Sequence, residues 1–146
     1  MENPIKLIHK FNKEAGLLDQ GYDDFLESSF QIEEALEGFD LSTLPNQIGG
    51  EGPKGTSRQI CKPLTYTGTD VDRLDKACDA VVFAVGSMAK LGLNPQEITK
   101  ALNVVMHKNF EKLGAPKDEF GKQLKPEGWT GPEPELQKIL LNRSSK

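Results

Sequence analysis

The sequence feature that most limits the possible folds is a long apolar pattern with helical spacing that continues to about Leu91. Its apolar positions recur three and four residues apart, as on one face of an α-helix; they are Val71, Leu74, Cys78, Val81, Val82 and Val85. The second half, which begins at Ala80, is apolar nearly all round, and a buried strand would also fit it. Length, alanine content and the charged stretch before it favour a buried helix, capped by Thr69 or Asp70, with Cys78 in the core.

Three other segments carry helical patterns with recognisable ends. Pro4 suits a first helical turn, and Asn94, Pro95 and Glu97 fit the cap, first and third positions of a helix start. We predict helices over Pro4–Ala15, Tyr22–Gly38, about 70–91 and about 95–112, with room for a short one at Glu133 to Leu141.

No segment carries a clear strand pattern, so the predicted fold is all-α. The helix order favours an antiparallel four-helix bundle forming one domain, 1–146, with core helices over about 4–112 and an extended C-terminal tail over 114–146. A helix with apolar residues on two sides has more apolar surface than one small bundle can bury. We therefore expect a homodimer or a larger assembly such as a tetramer.

Residues 40–68 contain many helix-breaking glycines and prolines, which predict a long irregular loop instead of a helix. Within it, Gly50 to Ser57 invites comparison with a phosphate-binding loop. No strand precedes this segment, and Pro53 removes a backbone donor. We interpret it as a mobile loop that could form a lid.

Composition excludes several classes of function. The formal charge of −4 offers no basic stripe to neutralise the phosphates of a nucleic acid. No apolar run approaches membrane-spanning length, and the N-terminus lacks the basic and apolar regions of a signal peptide. Two cysteines do not form a disulfide framework. We expect a cytoplasmic protein that binds neither a membrane nor a nucleic-acid polymer.

Two acidic sets on different predicted helices are the first candidate site. Glu34 and Glu37 are three residues apart, with Glu33 beside them, and the second set is Asp72, Asp75 and Asp79. Like charges at such spacing repel unless water and salt screen them or a cation lies between them. The sets are therefore either two solvated acidic surfaces or, together, oxygen ligands for Mg²⁺ or Mn²⁺.

A basic set near the end of the fourth predicted helix is the second candidate. It comprises Lys108, Asn109, Lys112, Lys122 and Lys125. These residues are either ordinary surface charge or, if the acids hold metal, partners for a polyphosphate. The single tryptophan, Trp129, could pack on the helices or on a base, and packing is the simpler interpretation. For His107, a structural or hydrogen-bonding role is preferred over general-base catalysis.

Four motifs, in order, resemble the all-α nucleoside triphosphate pyrophosphohydrolases of the MazG-like superfamily, especially phage-type members. They are Glu33-Glu34-Ala-Leu-Glu37, Asp75-Lys-Ala-Cys-Asp79 with its apolar continuation, Val105-Met-His-Lys-Asn109-Phe-Glu-Lys112, and Gly121-Lys-Gln-Leu-Lys125-Pro-Glu-Gly-Trp129. The resemblance spans nearly the whole chain.

The resemblance implies hydrolysis of a (deoxy)nucleoside triphosphate to its monophosphate and pyrophosphate, with Mg²⁺ or Mn²⁺, by a homodimer or homotetramer. The residue roles that it implies are catalysis by Glu33 and Glu34, metal binding by Glu34, Glu37, Asp75 and Asp79, and phosphate binding by Asn109, Lys112 and Lys125. Some phage relatives prefer guanine nucleotides, although no residue here establishes that preference.

One departure from the family pattern concerns the second acidic motif. Lys76 stands where the common Glu-x-x-Asp motif has its Glu, so Asp75, or Asp72 paired with Asp75, would supply the missing ligand. Two alternative functions stay open. One is a non-catalytic helical partner-binding protein, and the other is a phosphoribosyl-ATP pyrophosphohydrolase, which the phage-like tail disfavours.

Overall fold

The computed structural model describes residues 1–45 and 52–144, and within these ranges the regular structure is helical. The helices are α1 (Pro4–Glu14), α2 (Asp24–Leu36), α3 (Gly52–Cys61), α4 (Asp70–Lys90), α5 (Pro95–Phe110) and α6 (Glu133–Leu141), with a short 3₁₀ helix at Leu18–Gln20. An isolated antiparallel bridge joins Lys117 to Gln123. The all-α prediction is confirmed, whereas the bundle arrangement and the dimer or tetramer stay predictions.

The predicted starts of α4 and α5 are confirmed by their capping hydrogen bonds, whereas α2 starts at Asp24 instead of Tyr22. Thr69 caps α4 and forms a capping box with Asp72, and Asn94 caps α5 and forms one with Glu97. Each box satisfies backbone N–H groups that have no partner inside the helix.

The contacts along the chain divide it into two compact units. The first unit comprises Met1–Gln20 and Thr69–Lys146, and the second comprises Gly21–Gly68. The prediction of a single domain over 1–146 stays a prediction.

Helix α5 is the centre of the first unit, where α1, α4 and α6 all contact it. A buried apolar cluster formed by Leu93, Ile98, Ala101 and Ile139 joins α5 to α6. At the other end of α5, the rings of Phe11 and Phe110 meet edge to face with centroids 5.7 Å apart. The contact of Phe11 with Phe110 holds the C-terminal end of α5, which carries Lys108 and Asn109 of the basic set, against α1.

The second unit consists mainly of α2 packed against α3, and α3 corrects the prediction for residues 40–68. Residues from Gly52 to Cys61 are helical, and Thr56 and Ser57 are fully buried, so this part of the segment is not a mobile lid. The breakers are tolerated because Pro53 lies in the first helical turn, where its missing N–H is not needed. Gly50 and Glu51, at the start of the compared segment, lie outside the described residues.

Helix α2 also ends earlier than predicted, at Leu36 instead of Gly38. Gly38 has φ 84°, a left-handed conformation that stops a helix and that glycine adopts without strain. Glu37 is therefore the C-cap residue, with an extended ψ of 135°.

The prediction that α4 is buried is wrong for a single copy of the chain. The helix has no buried residue: Val71 and Phe83 are 76% and 75% exposed, and Cys78 is also exposed. In the first unit its contacts are with α5, where Met88 packs against the apolar cluster. An apolar helical pattern indicates a surface that favours burial, but it does not supply the partner that buries it.

None of the helices in the two described ranges is both long and apolar enough to cross a membrane by itself. Helices α4 and α5 meet that criterion only as a pair, bent by 112° at their junction.

Candidate functional site

The three glutamates of the first acidic motif have different environments. Glu33 is buried, whereas Glu34 and Glu37 are exposed. The backbone N–H of Glu37 donates to the carbonyl of Glu34 at 3.3 Å, which keeps the two residues adjacent where the helix ends. Carboxylate oxygens are the donors that Mg²⁺ and Mn²⁺ prefer, so Glu34 and Glu37 have the donor chemistry of such a ligand.

Glu33 is held inside the second unit by Arg58 of α3. Nη1 of Arg58 donates to Oε1 of Glu33 at 2.6 Å and to the hydroxyl of Ser57 at 2.8 Å. The same nitrogen lies 3.4 Å from the carbonyl of Ser29, and the guanidinium carbon lies 5.1 Å from the ring centroid of Phe30. This buried ion pair joins α2 to α3, and it gives Glu33 surroundings that its neighbours lack.

Arg58 could not be identified from the sequence, because its partner lies 25 residues away and its own segment carries the pattern of a loop. A basic residue among glycines, prolines and hydroxyl residues gave no signal of burial. Only the packing of α3 on α2 shows its role.

The second acidic set lies along α4. Oδ2 of Asp72 accepts hydrogen bonds from the backbone N–H of Thr69 at 2.7 Å and from its hydroxyl at 2.8 Å. These bonds lower the pKa of Asp72 from its ordinary value of 3.8. Asp75 and Asp79 are exposed and one turn apart on the same side of the helix. Asp72 is therefore used by the helix cap, and its role as a metal ligand in place of Lys76, like that of Asp75, stays a prediction.

The two acidic sets belong to different units: Glu34 and Glu37 to the second, and Asp75 and Asp79 to the first. Within residues 1–45 and 52–144, the structure does not place three His, Cys, Asp or Glu side chains in one group that could hold a metal ion. The shared metal site therefore stays a prediction.

The structure does bring together residues of the basic set, at the C-terminal end of α5. The ammonium of Lys112 lies 4.8 Å from the ring centroid of Trp129, and that of Lys125 lies 5.7 Å from the same ring. The indole N–H of Trp129 donates to the carbonyl of Lys108 at 3.2 Å. The prediction that Trp129 packs on the helices is thus confirmed, and its ring lies beside two lysines that belong to different motifs.

Asn109 and Lys122 contribute less directly. The side-chain amide of Asn109, one turn before Lys112, lies 3.7 Å from the sulfur of Met106. The backbone of Lys122 forms a tight turn with Asp118, which accepts from it at 3.0 Å. Positive charge near a helix C-terminus also interacts favourably with the helix dipole, so the lysines have a structural reason to be there as well.

His107 lies beside the N-terminus. Its Nε2 is 2.8 Å from Oε1 of Glu2, and the amide of Asn103 donates to the carbonyl of Glu2 at 3.1 Å. This agrees with the predicted hydrogen-bonding role of His107.

Two cavities lie away from the predicted site residues. One, of about 290 Å³, is in the first unit between α5 and α6 and is lined in part by Lys100, Glu135 and Ile139. The other, of about 250 Å³, is in the second unit and is lined in part by Phe25 and Cys61. Both are slightly smaller than the roughly 300–1,000 Å³ of typical pockets for small organic ligands.

No family model, curated protein or solved structure matches the chain.

Proposed function

We propose that the protein is a divalent-metal-dependent (deoxy)nucleoside triphosphate pyrophosphohydrolase. The observation that supports this most is the meeting of Lys112 and Lys125 on Trp129. The family resemblance assigns both lysines to phosphate binding through separate motifs, and together they form one surface with two cations. Such a surface suits the negative charge of a triphosphate.

Exposed carboxylates give a second line of support. Glu34, Glu37, Asp75 and Asp79 present hard oxygen donors of the kind that Mg²⁺ and Mn²⁺ prefer, and they would hold the ion. When bound, such an ion neutralises charge on phosphate oxygens and lowers the pKa of a coordinated water.

The remaining roles fall to side chains of the chain itself. Lys112, Lys125 and Asn109 hold the phosphates and stabilise the charge that develops on departing pyrophosphate. Glu34 orients the water that attacks the α-phosphorus, whereas Glu33, first assigned to the same role, is buried and bound to Arg58.

The decisive assay incubates the protein with each dNTP and NTP and Mn²⁺ and measures pyrophosphate. We expect pyrophosphate and the corresponding monophosphate in equal amounts, with dGTP among the preferred substrates if the phage-type resemblance extends to base choice. Phosphoribosyl-ATP belongs in the panel as the competing substrate. Absence of pyrophosphate with every compound would refute the enzyme.

Two charge-neutralising variants test the carboxylates. Glu34→Gln and Asp79→Asn should each abolish turnover, and without metal Asp79→Asn should match or slightly exceed the wild type in stability, since like-charge repulsion falls. Asp19→Asn, which changes an exposed acid outside both sets, is the matched control and should leave activity unchanged. A non-catalytic partner-binding protein would show only ordinary surface effects for all three.

We also propose that the active form is a homo-oligomer in which a second copy covers α4. The support is the exposure of its apolar side chains, including Val82 at 65% and Phe83 at 75%. Large exposed apolar patches are uncommon on monomers and often mark contact surfaces.

A further inference from the structure

The groove between α5 and α6, inside the first unit, has an apolar floor and charged walls. Its cavity of about 290 Å³ is lined by side chains that recur three or four residues apart on each helix, among them Glu97, Lys100, Val104, Glu135, Lys138 and Ile139. Ile139 belongs to the buried apolar cluster, and Val104 packs against that cluster. A ligand with an apolar part would therefore find a surface to cover in this groove.

Glu97, at one end of the groove, already has hydrogen-bond donors within the fold. Its Oε1 accepts from the backbone N–H of Asn94 at 2.9 Å and from the hydroxyl of Ser144 at 3.2 Å. Its Oε2 accepts from the backbone N–H of Ser144 at 3.1 Å. These bonds tie the segment after α6 to the start of α5, so Glu97 serves the fold instead of a ligand.

Glu135, on the α6 side of the groove, has a different environment. Its Oε2 is buried and has no hydrogen-bond partner in residues 1–45 and 52–144. A buried oxygen without a donor raises the free energy of the folded state, and a charged N–H donor would remove that cost. The last torsion of a glutamate side chain is soft, so the carboxylate can turn either oxygen toward a donor in the cavity.

Two lysines line the same stretch of the groove from opposite helices. Lys100 directly precedes Ala101, Lys138 directly precedes Ile139, and both of these neighbours belong to the buried apolar cluster. The lysines are exposed, so a ligand can reach them without displacing other side chains. Two ammonium groups near each other repel, and an anion between them reverses the sign of the interaction. A carboxylate on a ligand supplies such an anion.

We propose that this groove binds a free α-amino acid with a branched aliphatic side chain, such as leucine. The ammonium of the ligand pairs with Glu135, and its carboxylate pairs with Lys100 and Lys138. Its side chain covers Val104 and Ile139. A simple amine would leave the lysines without an anion, and a simple carboxylate would leave Glu135 without a donor. The site does not depend on the proposed hydrolysis of a triphosphate.

The test titrates the isotope-labelled full chain with four compounds and follows the amide chemical shifts. Leucine carries all three groups that the groove would recognise. Isocaproate lacks the ammonium, isoamylamine lacks the carboxylate, and glycine lacks the apolar side chain. We expect leucine to shift the amides of α5 and α6 along the groove, and each of the other compounds to bind at least about 10-fold more weakly, because charge-assisted hydrogen bonds or apolar contacts are lost.

Three variants test the charges. Glu135→Gln should raise the dissociation constant for leucine about 10-fold, and Lys138→Met should raise it less, since Lys100 still contacts the carboxylate. Glu133→Gln is the matched control, because Glu133 is exposed on the same helix and is not part of the cavity lining, so this variant should bind like the wild type. Circular dichroism establishes that each variant is folded before it is titrated.

Several results would overturn the proposal. Leucine that shifts no groove amide up to its solubility limit would do so, and so would isocaproate or isoamylamine that binds as tightly as leucine. An unchanged dissociation constant in folded Glu135→Gln has the same meaning. If that variant does not fold, the four compounds on the wild type decide. The pyrophosphate assay reports on other residues, so either proposal can fail without the other.

Discussion

Replacing Trp129 with leucine should destabilise the first unit by an amount that can be worked from its contacts. The indole ring faces the ammonium groups of Lys112 and Lys125, and each cation–π contact at a partly exposed site contributes about 0.5–1 kcal/mol. The hydrogen bond from the indole N–H to the carbonyl of Lys108 contributes about 0.5–1.5 kcal/mol more. We therefore expect Trp129→Leu to cost about 1.5–3.5 kcal/mol.

Urea unfolding monitored by circular dichroism measures this loss of stability without relying on tryptophan fluorescence, which the variant lacks. Trp129→Phe is the control, because it keeps an aromatic face but has no indole N–H, so its loss should be smaller. In a double-mutant cycle, Trp129→Leu and Lys125→Met should show a coupling of about 0.5–1 kcal/mol, the size of one cation–π contact. Independent effects of the two changes, or a loss below about 0.5 kcal/mol for Trp129→Leu, would refute the stacked arrangement.

Three other changes test separate features. Phe83→Glu should shift the protein toward monomer in light scattering. The control Ile5→Glu, at a 66% exposed site on α1, should not. If the two variants behave alike, α4 has no special role in self-association. Hydrogen bonds to the carboxylate of Glu97 lower its pKa from the ordinary value of 4.5, and the largest contribution comes from the backbone N–H of Asn94. Ionised Glu97 therefore stabilises the folded protein above pH 4.5, and this stabilisation is lost as the pH falls through the folded pKa. The difference in urea midpoint between wild type and Glu97→Gln should accordingly shrink from pH 7 to pH 3. Cys78 is exposed and Cys61 buried, so Ellman's reagent should titrate one thiol in the folded protein and two in urea, and Cys78→Ser should remove the fast reaction.

The helix starts could be predicted from the sequence because they depend on short-range chemistry. The side chains that cap α4 and α5 bond to backbone groups three residues away, for example from the N–H of Glu97 to Oδ1 of Asn94 at 2.8 Å. A window of four residues contains all the participants, so the pattern and the structure agree.

Helix α3 could not be predicted in this way because its stability comes from residues far away in sequence. Its own sequence contains two glycines and one proline, which disfavour a helix in isolation. Thr56 and Ser57 are buried, and Arg58 reaches Glu33 on α2. Tertiary packing of this kind often outweighs local propensity, and the sequence contains no local sign of it.

The two acidic sets illustrate the same distinction at the candidate site. Helical spacing correctly placed Asp75 and Asp79 on one side of α4, but it could not show that Asp72 is used by the cap or that Glu33 is used by Arg58. In both cases a carboxylate that looked like a free ligand has a partner that satisfies it. In each motif a neighbouring acid remains exposed to solvent: Glu34 in the first and Asp75 in the second. Selecting ligands from an acidic motif therefore requires knowing which acids the fold already uses, and helical spacing alone does not contain that information.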